Sequence, residues 1–170
     1  MVRWLPLACV ALLMCGCARH SSAPSTDGRA SVVRVVDGDT IVVHLSSGDE
    51  TVRILGIDTP ETHKPDTPVE CFGPEASARM AALLPKGTTV RLVRDAEARD
   101  RYGRLLAYVY RDSDGLFVDL TMVQEGYAGT LIISPNVAHR AELEAAVAEA
   151  QHAKRGLWQA CGGNHVAAGG

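Results

Sequence analysis

Aromatic residues are scarce in this chain. It has two Trp, four Tyr and two Phe in 170 residues, too few for a surface that reads single strands through rows of stacked rings. Positive charge is not in excess either. There are 17 Lys and Arg against 20 Asp and Glu, a net of -3, so any contact with a polyanion must be local. No Cys-x-x-Cys and no Cys/His ligand cluster occurs, which argues against a zinc site. The apolar run Trp4 to Met14 is too short to span a membrane as a mature helix. No internal repeat is present. What remains is ordinary globular material: 46% hydrophobic and 22% charged, in a length that fits one domain plus ends.

The N-terminus has the form of a targeting segment over residues 1–17, with Arg3 ahead of the apolar run. Met14-Cys15-Gly16-Cys17 resembles an imperfect bacterial lipoprotein box, with Cys17 as the lipidation site. Conventional cleavage near Ala18 is the alternative. Either route places the domain outside the cytoplasm, lipid-anchored to the envelope or secreted, with membrane contact only through the anchor. Cys9 and Cys15 leave with the signal. Cys71 and Cys161 then form an even pair in an oxidising compartment, expected as a disulfide.

Residues 18–30 are Ser, Pro and Gly rich without apolar period, which predicts a flexible linker. The domain is expected over 31–161. Val32 to Val36 and Ile41 to Leu45 are β-branched runs joined by Asp37-Gly-Asp39-Thr40, a hairpin signal. A second turn leads to a strand over 51–57. Residues 62–70 read as an exposed loop. Gly73-Pro74 opens a helix to about Leu84. Strands follow at 88–94 and 105–110, then a short helix at 117–124. The last helix spans roughly 137–153, with Leu143, Ala146, Val147 and Ala150 on one face. The tail 162–170 is expected to be disordered. This order predicts an α+β fold: a five-stranded barrel of the oligonucleotide/oligosaccharide-binding type with about three helices packed on it.

The stretch Arg53-Ile-Leu-Gly-Ile-Asp58-Thr-Pro-Glu61 organises the rest. Pro60 stops the strand, and the exit holds two acids and a hydroxyl next to an embedded arginine. Arg53 and Asp58 stand an odd number of residues apart, so only a bend lets them converge. Asp39, Asp58 and a Thr59 oxygen offer hard ligands of the kind Ca²⁺ takes. Arg53 and Arg104 offer guanidinium forks for a phosphodiester. Glu61, beside the metal acids, can serve as base toward water.

The motifs VVDGDTI, RILGIDTPET, FGPEASA, DRYGRLLAYVY and a closing GLW stand in one order. In them the chain resembles the thermonuclease family, the staphylococcal-nuclease-like domain, over roughly 32–158. The resemblance implies a barrel, Ca²⁺ dependence, and hydrolysis of DNA or RNA to 3′-phosphates. It puts Asp39, Asp58 and Thr59 on the metal ligands, and Arg53 and Arg104 on the phosphate-binding arginines. Glu61 falls on the general base and Tyr102 on a phosphate-contacting tyrosine. Arg101 stands where the best-known member has lysine. Two departures stand out. Gly129-Thr-Leu-Ile-Ile-Ser134 replaces the tyrosines that stack on the base. The loop 62–70 lacks the family's basic run, keeping only Lys64.

Duller roles are assigned to several neighbours. Asp37 and Gly38 serve the turn, the histidines at 44, 63, 139, 152 and 165 are surface residues, and Arg91, Arg94 and Arg99 are solvated charges. The alternative function is a catalytically weak nucleic-acid-binding or interaction module on the same barrel. The chain is expected to be a monomer. The N-terminal expectation is checked by intact mass. The mature protein should carry a diacylglyceryl adduct at Cys17, since each buried methylene of a lipid adds about 0.8 kcal/mol to anchoring. An unmodified chain starting at Ala18 would contradict it.

Overall fold

The computed structural model describes Met1, residues 26–62 and residues 68–168. Apart from Met1, the expected signal segment with Cys17 lies outside the described residues, as do His63 and Lys64. The first half of the chain forms β1 (Thr26–Val35), β2 (Thr40–Leu45), β3 (Gly48–Ile54), β4 (Gly56–Asp58) and α1 (Gly73–Leu83). The second half forms β5 (Thr89–Val93), β6 (Leu105–Arg111), α2 (Val118–Gln124), β7 (Gly129–Leu131), α3 (Arg140–His152) and the single turn α4 (Leu157–Ala160).

Five strands close a barrel in the order β1-β2-β3-β6-β5, as expected from the element order. All neighbours are antiparallel except β3 and β6. That parallel pair needs a long crossover, and α1 and β5 occupy it. β-branched and aliphatic side chains fill the interior, among them Ile41, Val43, Val52, Ile54 and Val109. Met80 of α1, Met122 of α2 and Leu143 of α3 belong to the same core. The predicted face of α3 is the one used: Leu143, Ala146 and Ala150 are buried and Val147 packs beside them.

Three expectations need correction. β1 begins at Thr26, so the end of the expected linker is barrel wall. Thr26, Asp27 and Arg29 pair with Val93, Leu92 and Arg91. An otherwise open edge of β5 takes up this polar segment despite its lack of alternation. Residues 162–168 of the expected tail are also ordered. The Cys71–Cys161 disulfide (Cα–Cα 6.0 Å) sets their start beside α1. The Cys71 N–H then donates to Val166 O at 2.8 Å, and Glu70 bridges to Ala167. Finally, the strand expected over 51–57 is two strands. Gly56, at φ 76°, turns the chain out of the barrel to pair β4 with β7. A Cβ there would collide with Leu143, so both conformation and space demand glycine.

Asp119 in α2 is fully buried. Its Oδ1 accepts the Val109 N–H at 3.0 Å, while Oδ2 is buried without a partner among the described residues. Burial pushes its pKa well above the ordinary carboxylate value. The native state therefore holds this proton more tightly than the unfolded chain. Stability should fall as pH rises from the ordinary carboxylate range through the native value. Asp119→Asn keeps the acceptor and removes the charge. It should be more stable than the native protein at pH 8, and the difference should shrink toward pH 4. Urea unfolding at the two pH values checks this.

Candidate active site

Arg53 lies at the end of β3, with its side chain only 14% exposed. Beyond Ile54 the chain bends at Gly56 and curls round the guanidinium. Arg53 Nη1 donates to the carbonyls of Ile54 (2.6 Å) and Ile57 (2.9 Å). Its Nη2 meets Asp58 Oδ1 at 3.0 Å and Asp39 Oδ2 at 3.2 Å. This bend is what lets residues of opposite strand parity converge. One nitrogen thus marks the point on which both candidate metal carboxylates close.

The turn between β1 and β2 delivers Asp39. Asp37 Oδ1 accepts the Asp39 N–H at 3.1 Å, an Asx-type closure consistent with a turn role for Asp37. Gly38 does more than turn: a Cβ there would come within 2.7 Å of the Thr59 side chain. Asp39 Oδ2 accepts the Thr59 N–H (3.1 Å) and hydroxyl (3.2 Å), and Oδ1 accepts the Thr40 hydroxyl. Asp39, Asp58 and Thr59 therefore form one cluster. Burial, reinforced by the charge of Asp39, raises Asp37 to about 6. Burial also raises Asp58, against the hydrogen bond from His165 and the charge of Arg53. Negative charge is concentrated here beyond what Arg53 neutralises.

A cleft of about 720 Å³ opens beside this cluster, lined by Arg53, Arg99, Arg101, Tyr102 and Arg104. The segment before β6 is shaped by Asp100, which accepts the backbone N–H groups of Tyr102 (2.9 Å) and Arg104 (3.0 Å) and the Arg104 Nε–H (2.7 Å). Burial works against the charge of Asp100, but these donors outweigh it and hold its pKa below the usual value. Tyr102 is 68% exposed. Arg101 lies over its ring at 4.8 Å and donates to its hydroxyl; Arg104 lies at 5.5 Å. Leu131 and Ile133, where the resemblance leads one to look for stacking tyrosines, line the same cleft and are 42% and 63% exposed. Arg99 instead forms a two-pronged pair with Glu50.

Glu61 sits just past the β4 exit. Its N–H donates to Glu70 Oε2 at 2.7 Å. The same oxygen meets His165 Nδ1 at 2.7 Å, and His165 Nε2 meets Asp58 Oδ2 at 2.6 Å. Burial opposes a charge on the imidazole, but the two carboxylates prevail and raise its pKa. Sequence reasoning assigned Asp100 and Glu70 no role and read His165 as a surface residue; it is exposed, but it also bonds Asp58 and Glu70. Asp100 lay in a charge-dense loop with nothing to single it out. For the other two a signal existed: the expected disulfide brings the neighbours of Cys71 and Cys161 together.

Among the described residues no group of three or more His, Cys, Asp or Glu has a metal-holding arrangement. The cluster instead offers the carboxylates of Asp39 and Asp58 beside Thr59, whose N–H and hydroxyl donate to Asp39. Such an all-oxygen, charge-rich set fits Ca²⁺, which accepts water and substrate oxygens in its remaining positions.

The fold is thus a five-stranded barrel of the oligonucleotide/oligosaccharide-binding type with an arginine-lined cleft over two acids. The staphylococcal nuclease homologue family model matches residues 51–160, and the chain belongs to that family. It is 42% identical to the thermonuclease of Staphylococcus intermedius over 138 residues, 79% of this chain and 80% of that protein. It is 39% identical to the thermonuclease of Staphylococcus hyicus over 127 residues, 75% and 73% of the two chains. Endonuclease YncB of Bacillus subtilis is 38% identical over 144 residues, 84% and 67% of the two chains.

Arg53 is the cation shared by both acids, so Arg53→Met should leave Asp39 without a counter-charge and Asp58 with His165 alone. The expected loss is about 3 kcal/mol at pH 7. Urea unfolding measures it, and Asp39→Asn added to the variant should recover part of the loss.

Proposed function

We propose that this chain is a Ca²⁺-dependent nuclease that hydrolyses phosphodiester bonds of DNA or RNA and leaves 3′-phosphates. It works as a monomer outside the cytoplasm. The observation that carries this is the convergence of Asp39 and Asp58 on Arg53, on the wall of a cleft that Arg104 also lines. Similarity to thermonucleases and to an endonuclease supports hydrolysis of nucleic acid. The Cys71–Cys161 disulfide agrees with an oxidising compartment.

Asp39, Asp58 and the Thr59 carbonyl would hold the ion, which supplies Lewis-acid charge against a phosphoryl oxygen. Arg53 and Arg104 bind the same phosphate by guanidinium forks. Their hold strengthens as negative charge builds on the five-coordinate phosphorus. Glu61 orients a water and takes its proton as the oxygen attacks. The bond from phosphorus to the 5′-oxygen breaks, and the leaving oxygen takes up a proton, so the phosphate stays on the 3′ side. Arg101 and Tyr102 steady the strand at the mouth. Leu131 and Ile133 offer apolar contact but no ring, so binding rests on phosphate and is strongly salt dependent.

Nicking of plasmid DNA should stop in excess chelator. Arg104→Ala and Glu61→Gln should each lower kcat by a hundredfold or more, about 2.7–4 kcal/mol for one such donor, with smaller changes in KM. Asp39→Ala should raise the Ca²⁺ concentration needed for activity. Full nicking in chelator would refute the calcium assignment. DNA binding without cleavage at any Ca²⁺ concentration would favour the binding module.

A further inference from the structure

Beyond residue 160, where the family match ends, the chain turns back to the active site. Cys161 is tied to Cys71, and residues 162–168 run as a strap past Glu70. The Cys71 N–H to Val166 O bond and the Glu70–Ala167 bridge fix the strap along its length. Asn164 Nδ2 donates to the Asp58 carbonyl at 3.2 Å. A Cβ on Gly129 would lie 3.1 Å from that nitrogen, so the fit is close. His165 is held at φ 56°, a left-handed conformation that a non-glycine residue keeps only when its surroundings enforce it.

Both ring nitrogens of His165 face carboxylate oxygens, Asp58 Oδ2 at 2.6 Å and Glu70 Oε2 at 2.7 Å. A ring N–H donates to a carboxylate oxygen, so the Nε2–H tautomer bonds Asp58, with Asn164 Nδ2 3.2 Å from the same nitrogen. The Glu70 oxygen that receives the ring also receives the Glu61 N–H. A continuous chain of hydrogen bonds therefore runs from a candidate metal carboxylate, through His165 and Glu70, to the backbone of the candidate base.

We propose that His165, braced by Glu70, is a positioning residue that holds the Asp58 carboxylate and the Glu61 backbone in register for ion binding and water attack. The proposal rests on the calcium assignment above. A carboxylate oxygen has two lone-pair directions, so a bond from His165 leaves Asp58 Oδ2 able to face a metal. Donors behind metal-binding side chains act in this way, and their loss typically costs 10- to 100-fold in metal affinity or activity. A strap fixed by a disulfide and backbone bonds suits a brace. It does not have the form of a hinged lid that must lift before the ion enters.

The test is calorimetric Ca²⁺ titration of the mature disulfide-bonded protein, with DNA-cleavage kinetics alongside. His165→Ala should weaken Ca²⁺ binding about 10- to 100-fold. It should lower kcat at saturating Ca²⁺ with little change in KM for DNA. His165→Gln, whose amide can donate to Asp58, should recover much of the affinity. A purely structural role would move melting temperature alike in both variants and leave Ca²⁺ affinity alone. His165→Asn, polar but too short to reach Asp58, replaces the alanine variant if that does not fold. Unchanged or tighter Ca²⁺ binding by His165→Ala overturns the proposal, as does a glutamine variant no better than alanine. If the native protein itself binds no Ca²⁺, the calcium assignment falls and this proposal with it. If the native protein binds and His165→Ala binds equally, this proposal alone falls.

Discussion

The clamp on Arg53 is the constraint from which the rest of the site follows. Its guanidinium makes two bonds to carbonyls of the chain that curls round it and two to carboxylates. That curl requires the barrel strand to end at Ile54 and the chain to turn at Gly56. The turned segment becomes β4, which pairs with β7 rather than with the barrel. The same turn brings Asp58 and Thr59 against the β1–β2 turn, where Gly38 makes room for them. A different residue at Gly56 or Gly38 would part Asp39 from Asp58 before any charge was changed.

Electrostatics explain why an acidic protein can still bind a polyanion. The net charge is -3, yet the cleft draws arginines from β3 and from the segment before β6. Asp100, which also lines the cleft, shapes that segment and pairs with Arg104, so its charge is offset. Arg99 is paired with Glu50 and contributes less field than its position suggests. The remaining excess of negative charge lies at Asp37, Asp39 and Asp58. Charge is thus divided: arginines line the cleft, the acids gather beside it, and Arg53 bonds both Asp39 and Asp58 at the boundary.

Much of this was legible in the chain. Alternation and β-branched runs marked the barrel strands, Asp-Gly marked the first turn, and the 3.6-residue stripe marked the buried face of α3. The convergence of Arg53 with Asp58 was legible as a need for a bend, though not as a separate strand. What escaped notice had no local signal. Thr26 to Ala30 carry no alternation and become strand because β5 has an edge to fill. The segment GGNHVAAGG has the composition of a disordered tail, yet residues 162–168 are held by the crosslink at Cys161 and by contacts with Asp58, Glu70 and Cys71. Local propensity cannot report an interaction whose partner is some hundred residues away, as with His165 and Asp58.

The disulfide then takes on a meaning beyond stability. Closing a 90-residue separation stabilises by roughly 4–5 kcal/mol in loop-entropy models, and a stability role needs no particular neighbours. Here the neighbours matter: Glu70 precedes Cys71, and Asn164 and His165 follow Cys161. Breaking the crosslink frees the strap at its root while the barrel, closed by its own five strands, retains its hydrogen-bonded ring. Asp58 would then keep Arg53 but lose His165 as a fixed donor, and the Glu61 N–H would share Glu70 with no ring. If His165 positions Asp58, oxidation of the cysteine pair completes the active site as well as the fold. A chain folded in a reducing compartment would hold its acids and arginines in place but leave Asp58 unbraced.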